Sequence, residues 1–99
     1  MFTIEYAEGV VTDLRNIRTY ERTRILDSIE AQLKHEPTKP ARNRKMIFGL
    51  TPPWEYTEPV WELRIGAYCA FYDVDGEMSV VTIRAIRHKP PHKTTEDIV

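Results

Sequence analysis

The side chains best equipped for chemistry are Arg64, Arg84, His88 and Lys89, with the chain's only cysteine, Cys69, set among them. Guanidinium and ammonium groups stabilise developing negative charge, and a histidine titrates near neutrality. On an open face such cations could bind a phosphodiester backbone. A second cationic run, Lys39, Arg42, Arg44 and Lys45, is uninterrupted by any acid, and His92 and Lys93 extend the later group. The balancing acids crowd the first third of the chain (Glu5, Glu8, Asp13, Glu21, Asp27, Glu30, Glu36), so a net charge of -1 conceals a polar distribution. A protein built this way offers its basic side to a polyanion. A catalytic Cys69 would need His88 as base and a third group to orient it, and no such group is evident; a small buried thiol is the commoner state. Zinc is disfavoured as well. Pro90 and Pro91 prevent His88 and His92 from sharing a helical face, and a fourth ligand is missing, so neither metal nor cofactor is expected.

The elements that must position these residues follow from periodicity and turn chemistry. Phe2, Ile4 and Tyr6 alternate with polar residues as in a strand. Val10, Val11, Leu14 and Ile17 then fall on one helical face. After a break at residues 15 to 19, Ile25, Leu26, Ile29 and Leu33 mark a second amphipathic helix over about 20 to 35, stopped by Pro37 and Pro40. Two helices with so short a joint predict an antiparallel hairpin. Residues 38 to 59, rich in proline and cations, read as a long basic loop, anchored to the body by Ile47, Phe48, Trp54 and Tyr56. Three strands follow at about 60 to 65, 68 to 74 and 78 to 86, joined by two-residue turns at Gly66-Ala67 and Asp75-Gly76. The tail, about 90 to 99, has no periodicity.

Those turns imply a register, and the register implies two faces. Trp61, Leu63, Ile65, Tyr68, Ala70, Tyr72, Val81, Ile83 and Ala85 form a core face under the helices. Glu62, Arg64, Cys69, Phe71, Asp73, Val80, Thr82, Arg84 and His88 form an open, solvated one. On it Arg64 lies opposite Cys69, Cys69 opposite Thr82, and Arg84 diagonal to Cys69. The fold class is therefore α+β: an N-terminal strand and a helical hairpin packed on a mainly antiparallel sheet, in the order β-α-α-β-β-β.

A chain of 99 residues is one domain, here 1–99. One cysteine makes no internal disulfide, Glu5 and Glu8 interrupt any secretory leader, and no apolar run nears the ~20 residues of a bilayer span. The expectation is a soluble cytoplasmic protein with no membrane partner.

The basic loop followed by WELRIGAY, FYDVD and VVTIRAIRHK resembles the RelE/ParE superfamily of bacterial toxins, the toxin halves of type II toxin–antitoxin modules. The block L-R-x-G-x-Y-x-x-x-Y, Leu63 to Tyr72, carries most of the likeness. RelE-like members cleave messenger RNA in the ribosomal A site without metal, their basic residues activating the ribose 2′-hydroxyl and stabilising the phosphorane-like transition state. ParE-like members keep the fold but inhibit DNA gyrase. The resemblance implies a metal-independent endoribonuclease acting on messenger RNA and the ribosome, with a small antitoxin as partner. Arg64 and Lys89 fall on basic family positions and would be catalytic, joined by Arg84 on the strength of its register and by His88 as acid or base; Lys45 falls in the family's RNA-contacting loop, and with Arg42, Arg44 and Lys93 it would grip phosphate. Glu62 stands where RelE has lysine, Cys69 where the family usually has arginine, and the tail after Lys89 contains no tyrosine. A gyrase inhibitor, or a degenerate toxin that binds RNA or antitoxin without cleavage, are the alternatives. Cys69 then reads as a missing arginine, whose restoration would raise activity.

Overall fold

In the computed structural model, which describes residues 1–99, β1 (Thr3–Tyr6) leads into α1 (Glu8–Arg15) and α2 (Thr19–Leu33). These are followed by β2 (Arg44–Ile47), β3 (Val60–Ile65), β4 (Tyr68–Asp75), β5 (Val80–His88) and a one-turn α3 (Thr95–Ile98). The helical hairpin forms because Val10, Ile17, Ile25, Ile29 and Leu33, at helical spacings, all bury against the sheet. Its joint is held by Arg22, whose guanidinium donates to the carbonyls of Leu14 (3.1 Å), in the last turn of α1, and Ile17 (3.0 Å), just beyond it.

The five strands run in the order β1-β5-β4-β3-β2, with β1 parallel to β5 and every other pair antiparallel. Trp61 and Tyr72, paired across β3 and β4, stack at 6.3 Å in the core beneath the helices. Burial of each such side chain contributes roughly 1.5–3 kcal/mol. The Tyr72 hydroxyl donates to the Pro37 carbonyl at 2.6 Å, so the phenol is buried without an orphaned donor and the chain leaving α2 is pinned to the sheet.

Four expectations require correction, the last being the open face. The basic loop contains a strand: β2 pairs with β3 from Arg44↔Leu63 to Ile47↔Val60, a non-local pairing that has no turn signal of its own. The β4–β5 connection is four residues, Gly76 to Ser79, because the Asp75 carboxylate accepts from the amides of Glu77 (3.0 Å) and Met78 (3.1 Å), and Asp75 pairs with Val80. The last strand is accordingly displaced by two residues from its expected start. Further, Tyr72 pairs with Ile83 but Phe71 with Ala85, so Arg84 is the extra residue of a β-bulge. One inserted residue exchanges the faces of everything after it. Ile86, rather than Ala85, joins the helix-side core, and Ala85 turns to the other side with Cys69 and Phe71.

That other side is not open. Val60, Cys69, Phe71 and Ala85 form a second buried cluster, roofed by Ile47, Trp54 and Tyr56 from the 38–59 segment and by Ile98 and Val99 from the tail. Trp54 lies 5.3 Å from Phe71, with the Arg87 guanidinium over its ring at 5.0 Å. Trp54 and Tyr56 thus anchor the segment as expected, whereas Phe48 is 82% exposed. The tail is held by a capping box, in which the Thr94 hydroxyl accepts from the Asp97 amide (3.3 Å) and the Asp97 carboxylate accepts from the Thr94 amide (3.0 Å). No helix is long and apolar enough to cross a membrane.

Candidate functional site

Where β2 and β3 meet the residue that follows β5, a pocket of about 310 Å3 is lined by Arg42, Asn43, Arg44, Lys45, Glu62, Arg64 and Lys89, with no hydrophobic residue among them. Backbone pairing builds it. The Arg64 amide donates to the Asn43 carbonyl (2.7 Å) and the Lys89 amide to Ala67 (2.6 Å), tying the turn before β2 and the end of β5 to the β3–β4 hairpin. Asn43 is steadied by Gln32 of α2 (2.8 Å), and the Arg64 side chain by the Gly66 carbonyl (2.9 Å). Gly66 has φ +59, a turn geometry that calls for glycine; the Arg24 guanidinium that a Cβ would meet is the end of an exposed side chain that can move aside.

Glu62 is the pocket's one carboxylate, with its side chain only 4% exposed. It accepts from the Thr95 hydroxyl (2.7 Å) and lies 3.6 Å from Lys89 Nζ and 3.7 Å from Lys45 Nζ. Lys89, itself buried, also donates to Thr95 (3.1 Å). The first turn of α3 therefore sits on the Glu62–Lys89 pair. Sequence reasoning placed Glu62 on this face but gave it no role. The available signal was an acid between Trp61 and Leu63 in a strand whose other side is also buried.

The pocket gathers Arg64 and Lys89 from the expected catalytic set, and Arg42 and Lys45 from the expected phosphate-binding set. Arg44 lines it too, but its guanidinium is buried and donates to the carbonyls of Gln32 (3.2 Å), Glu36 and Lys39 (3.1 Å), where it caps the negative end of α2. Arg84 lies elsewhere. Its guanidinium is bidentate to Asp73 (2.8 and 3.2 Å) in a cleft of about 690 Å3 beside the β4–β5 turn, shared with Glu5, Asp75 and Glu77. It is not a neighbour of Cys69, which pairs with Arg87 rather than with Thr82. His88 is paired with Tyr68, their rings 5.2 Å apart, in a cleft with Asp13, Asn16 and Ile17 of the helical hairpin. The bulge has moved it to the helix side of the sheet, away from Arg64. Lys93 lies in the turn before α3 and does not line the pocket.

Cys69 is wholly buried in the second cluster. Burial above all, then the nearby Glu62 charge, pushes its thiol up to about 12, which keeps it protonated at neutral pH and argues against a nucleophilic role. Nor does any group of three or more His, Cys, Asp or Glu side chains come together to hold a metal ion. The arrangement offers exposed cations (Arg42, Lys45, Arg64) around a Glu62–Lys89–Thr95 centre. Such a pocket can hold a phosphate and pass a proton to or from its neighbourhood.

A family model described as the ParE toxin of type II toxin–antitoxin system, parDE, matches residues 4–89. No curated protein matches the chain in sequence. Among solved structures, the chain is similar to one in the toxin–antitoxin complex RelBE2 from Mycobacterium tuberculosis, with TM-score 0.69 and 20% identity over 89% of this chain and 98% of that one. It is similar also to one in the archaeal RelE–RelB complex from Pyrococcus horikoshii OT3, with TM-score 0.68 and 20% identity over 94% and 98%. The isolated RelE toxin of E. coli shares the fold at TM-score 0.58 and 14% identity, over 94% and 89%.

Proposed function

The chain belongs to the ParE toxin family of type II toxin–antitoxin systems, and from that premise we propose that it is a metal-independent endoribonuclease that cleaves messenger RNA on the ribosome. The observation that carries this reading is the pocket in which Arg42, Lys45, Arg64 and Lys89 surround one carboxylate with no apolar wall. Arg42, Lys45 and Arg64 hold the scissile phosphate and the charge that builds on it. Glu62 is the proton acceptor for the ribose 2′-hydroxyl once Thr95 swings aside. The 2′-oxygen bonds to phosphorus, the 5′-oxygen leaves with a proton from Lys89, and the products are a 2′,3′-cyclic phosphate and a 5′-hydroxyl. Arg44 and Arg84 hold the fold in this reading. His88 and Lys93, outside the pocket, contact RNA away from the bond broken. The partner that silences the toxin is a small antitoxin.

The test is 5′-end mapping of a message in a translating extract given the purified chain. Cleavage is expected, reduced at least ~100-fold by Arg64→Ala, a change at an exposed side chain that leaves the melting temperature intact. Gyrase inhibition is the second reading. It is favoured by the family model's own description and by the separation of His88 from Arg64. Intact transcripts together with loss of DNA supercoiling by gyrase would overturn the ribonuclease proposal and support that one.

A further inference from the structure

The aromatic ring of Phe48 is 82% exposed, and none of the ring pairs in the chain includes it. Single exposed apolar side chains are ordinary on a protein surface, but this one stands between two clefts. One, of about 350 Å3, lies between Lys45–Phe48 and the tail at Thr94–Glu96; the other, of about 330 Å3, lies between Phe48–Leu50 and Glu58–Val60. Phe48 lines both, so its ring is offered to whatever enters them. Lys45 lines the first cleft and the basic pocket alike. A phosphate held in the pocket therefore has the sugar and base attached to it within reach of that cleft.

The lining of the first cleft matches a nucleobase, which is apolar on its faces and polar at its edge. Met46, Ile47, Phe48 and Leu50 supply apolar surface, and the tail supplies a polar rim. On that rim Thr94 is committed to its capping box and Thr95 to Glu62 and Lys89, which leaves the exposed carboxylate of Glu96 to read an edge. A carboxylate only accepts hydrogen bonds. Adenine, cytosine and guanine each offer an exocyclic amino group, whereas uracil has carbonyl oxygens instead. The same carboxylate disfavours an acidic protein segment, which would set like charges together, and an aliphatic side chain, which would leave it without a partner. Lifting one base out of the single-strand stack also lets the 2′-oxygen, phosphorus and 5′-oxygen come into line, the geometry that displacement at phosphorus requires.

We propose that the cleft beside Phe48 is a nucleobase subsite, in which one base flanking the scissile phosphate stacks on Phe48 and Glu96 selects a base with an exocyclic amino group over uracil. The inference rests on the ribonuclease reading above, and its test separates the two. The full chain and variants at Phe48 and Glu96 are each given to a translating extract, and the 5′ ends of the message are mapped. Both side chains are exposed, so the variants should keep the parent's melting temperature. The parent is expected to cut at least ~10-fold less where one particular flank of the bond carries uracil. Phe48→Ala should slow cutting at least ~10-fold, the loss of one stacked base. Phe48→Trp should keep the rate and Phe48→Leu should not, because stacking needs a flat ring rather than apolar bulk. Glu96→Ala should keep cutting while the bias against uracil disappears. A Phe48→Ala chain that cuts the same sites at the parent's rate, or a parent indifferent to the base on both flanks, overturns the subsite and leaves the ribonuclease reading standing. Full activity of Phe48→Leu beside a failing Phe48→Ala assigns the ring to an apolar protein contact and overturns the subsite too. A bias that survives Glu96→Ala overturns the selecting role of that carboxylate. A message left intact by every form of the chain overturns the ribonuclease reading and the subsite together.

Discussion

Glu62→Gln tests whether the centre of the pocket is a buried counter-ion pair. The substitution keeps the shape of the side chain and its ability to accept from Thr95, while removing the charge. Lys89, with a side chain 11% exposed, then faces an amide instead of a carboxylate 3.6 Å away. At an effective dielectric of about 20, the lost attraction is about 4.6 kcal/mol. Partial relaxation toward water brings the expected loss to about 3–4 kcal/mol, in line with broken buried pairs. That is a large part of the roughly 5–15 kcal/mol available to a domain of this size. Lys45 is the internal control. It lies at a similar distance from Glu62, but its side chain is 62% exposed, so Lys45→Ala should cost less than about 1 kcal/mol. Urea unfolding followed by tryptophan fluorescence reads both, since Trp54 and Trp61 sit in the two different cores. Pairing Glu62→Gln with Lys89→Met should recover at least ~2 kcal/mol relative to the sum of the single changes, because it removes the stranded charge. A Glu62→Gln loss below about 1 kcal/mol, or strict additivity in the double variant, would refute the reasoning.

Arg44→Ala should cost about 2–4 kcal/mol in the same unfolding assay, because three carbonyls, Gln32 in the last turn of α2 and Glu36 and Lys39 in the segment after it, lose a cationic donor; Arg44→Lys should not restore it, lacking the fork that reaches all three. Cys69→Arg should lower stability by several kcal/mol and expel the Ile98–Val99 roof, seen as increased proteolysis of the tail, instead of raising activity as a restored family arginine would. Stability should also fall on alkalinisation. The Cys69 thiol is pushed up to about 12 in the folded chain, so the unfolded chain releases its proton from about pH 8.5 upward while the native state retains it. Stability is then complete below about pH 8.5 and declines by about 1.4 kcal/mol per pH unit above it. Tyr6, raised to about 12 by burial and by Glu30, adds to the decline above about pH 10. Thermal melts at pH 7 to 10 check this, and Cys69→Ala should flatten the curve between 8.5 and 10.

Local signals determined much of this protein from its sequence. The helical hairpin follows from the spacing of Val10, Ile17, Ile25, Ile29 and Leu33, and the β3–β4 register from Gly66-Ala67, because helical periodicity and a tight turn act between near neighbours in the chain. The pairing of Arg64 with Cys69 and the whole core face of β3 and β4 came with that turn. What tertiary structure alone decided depends on partners distant in sequence. Residues 44 to 47 become a strand only because β3 lies beside them. The bulge at Arg84 reverses the end of β5, sending His88 to the helices and Ala85 to the second core, where the only local mark is the adjacent apolar pair Ala85-Ile86. Among the cations the division is equally non-local. Arg44 and Arg84 look as available in sequence as Arg42 and Arg64, yet backbone carbonyls and Asp73 already occupy them. A charge's type is written in the chain; whether it is free to meet a phosphate depends on which acceptors the fold brings to it first.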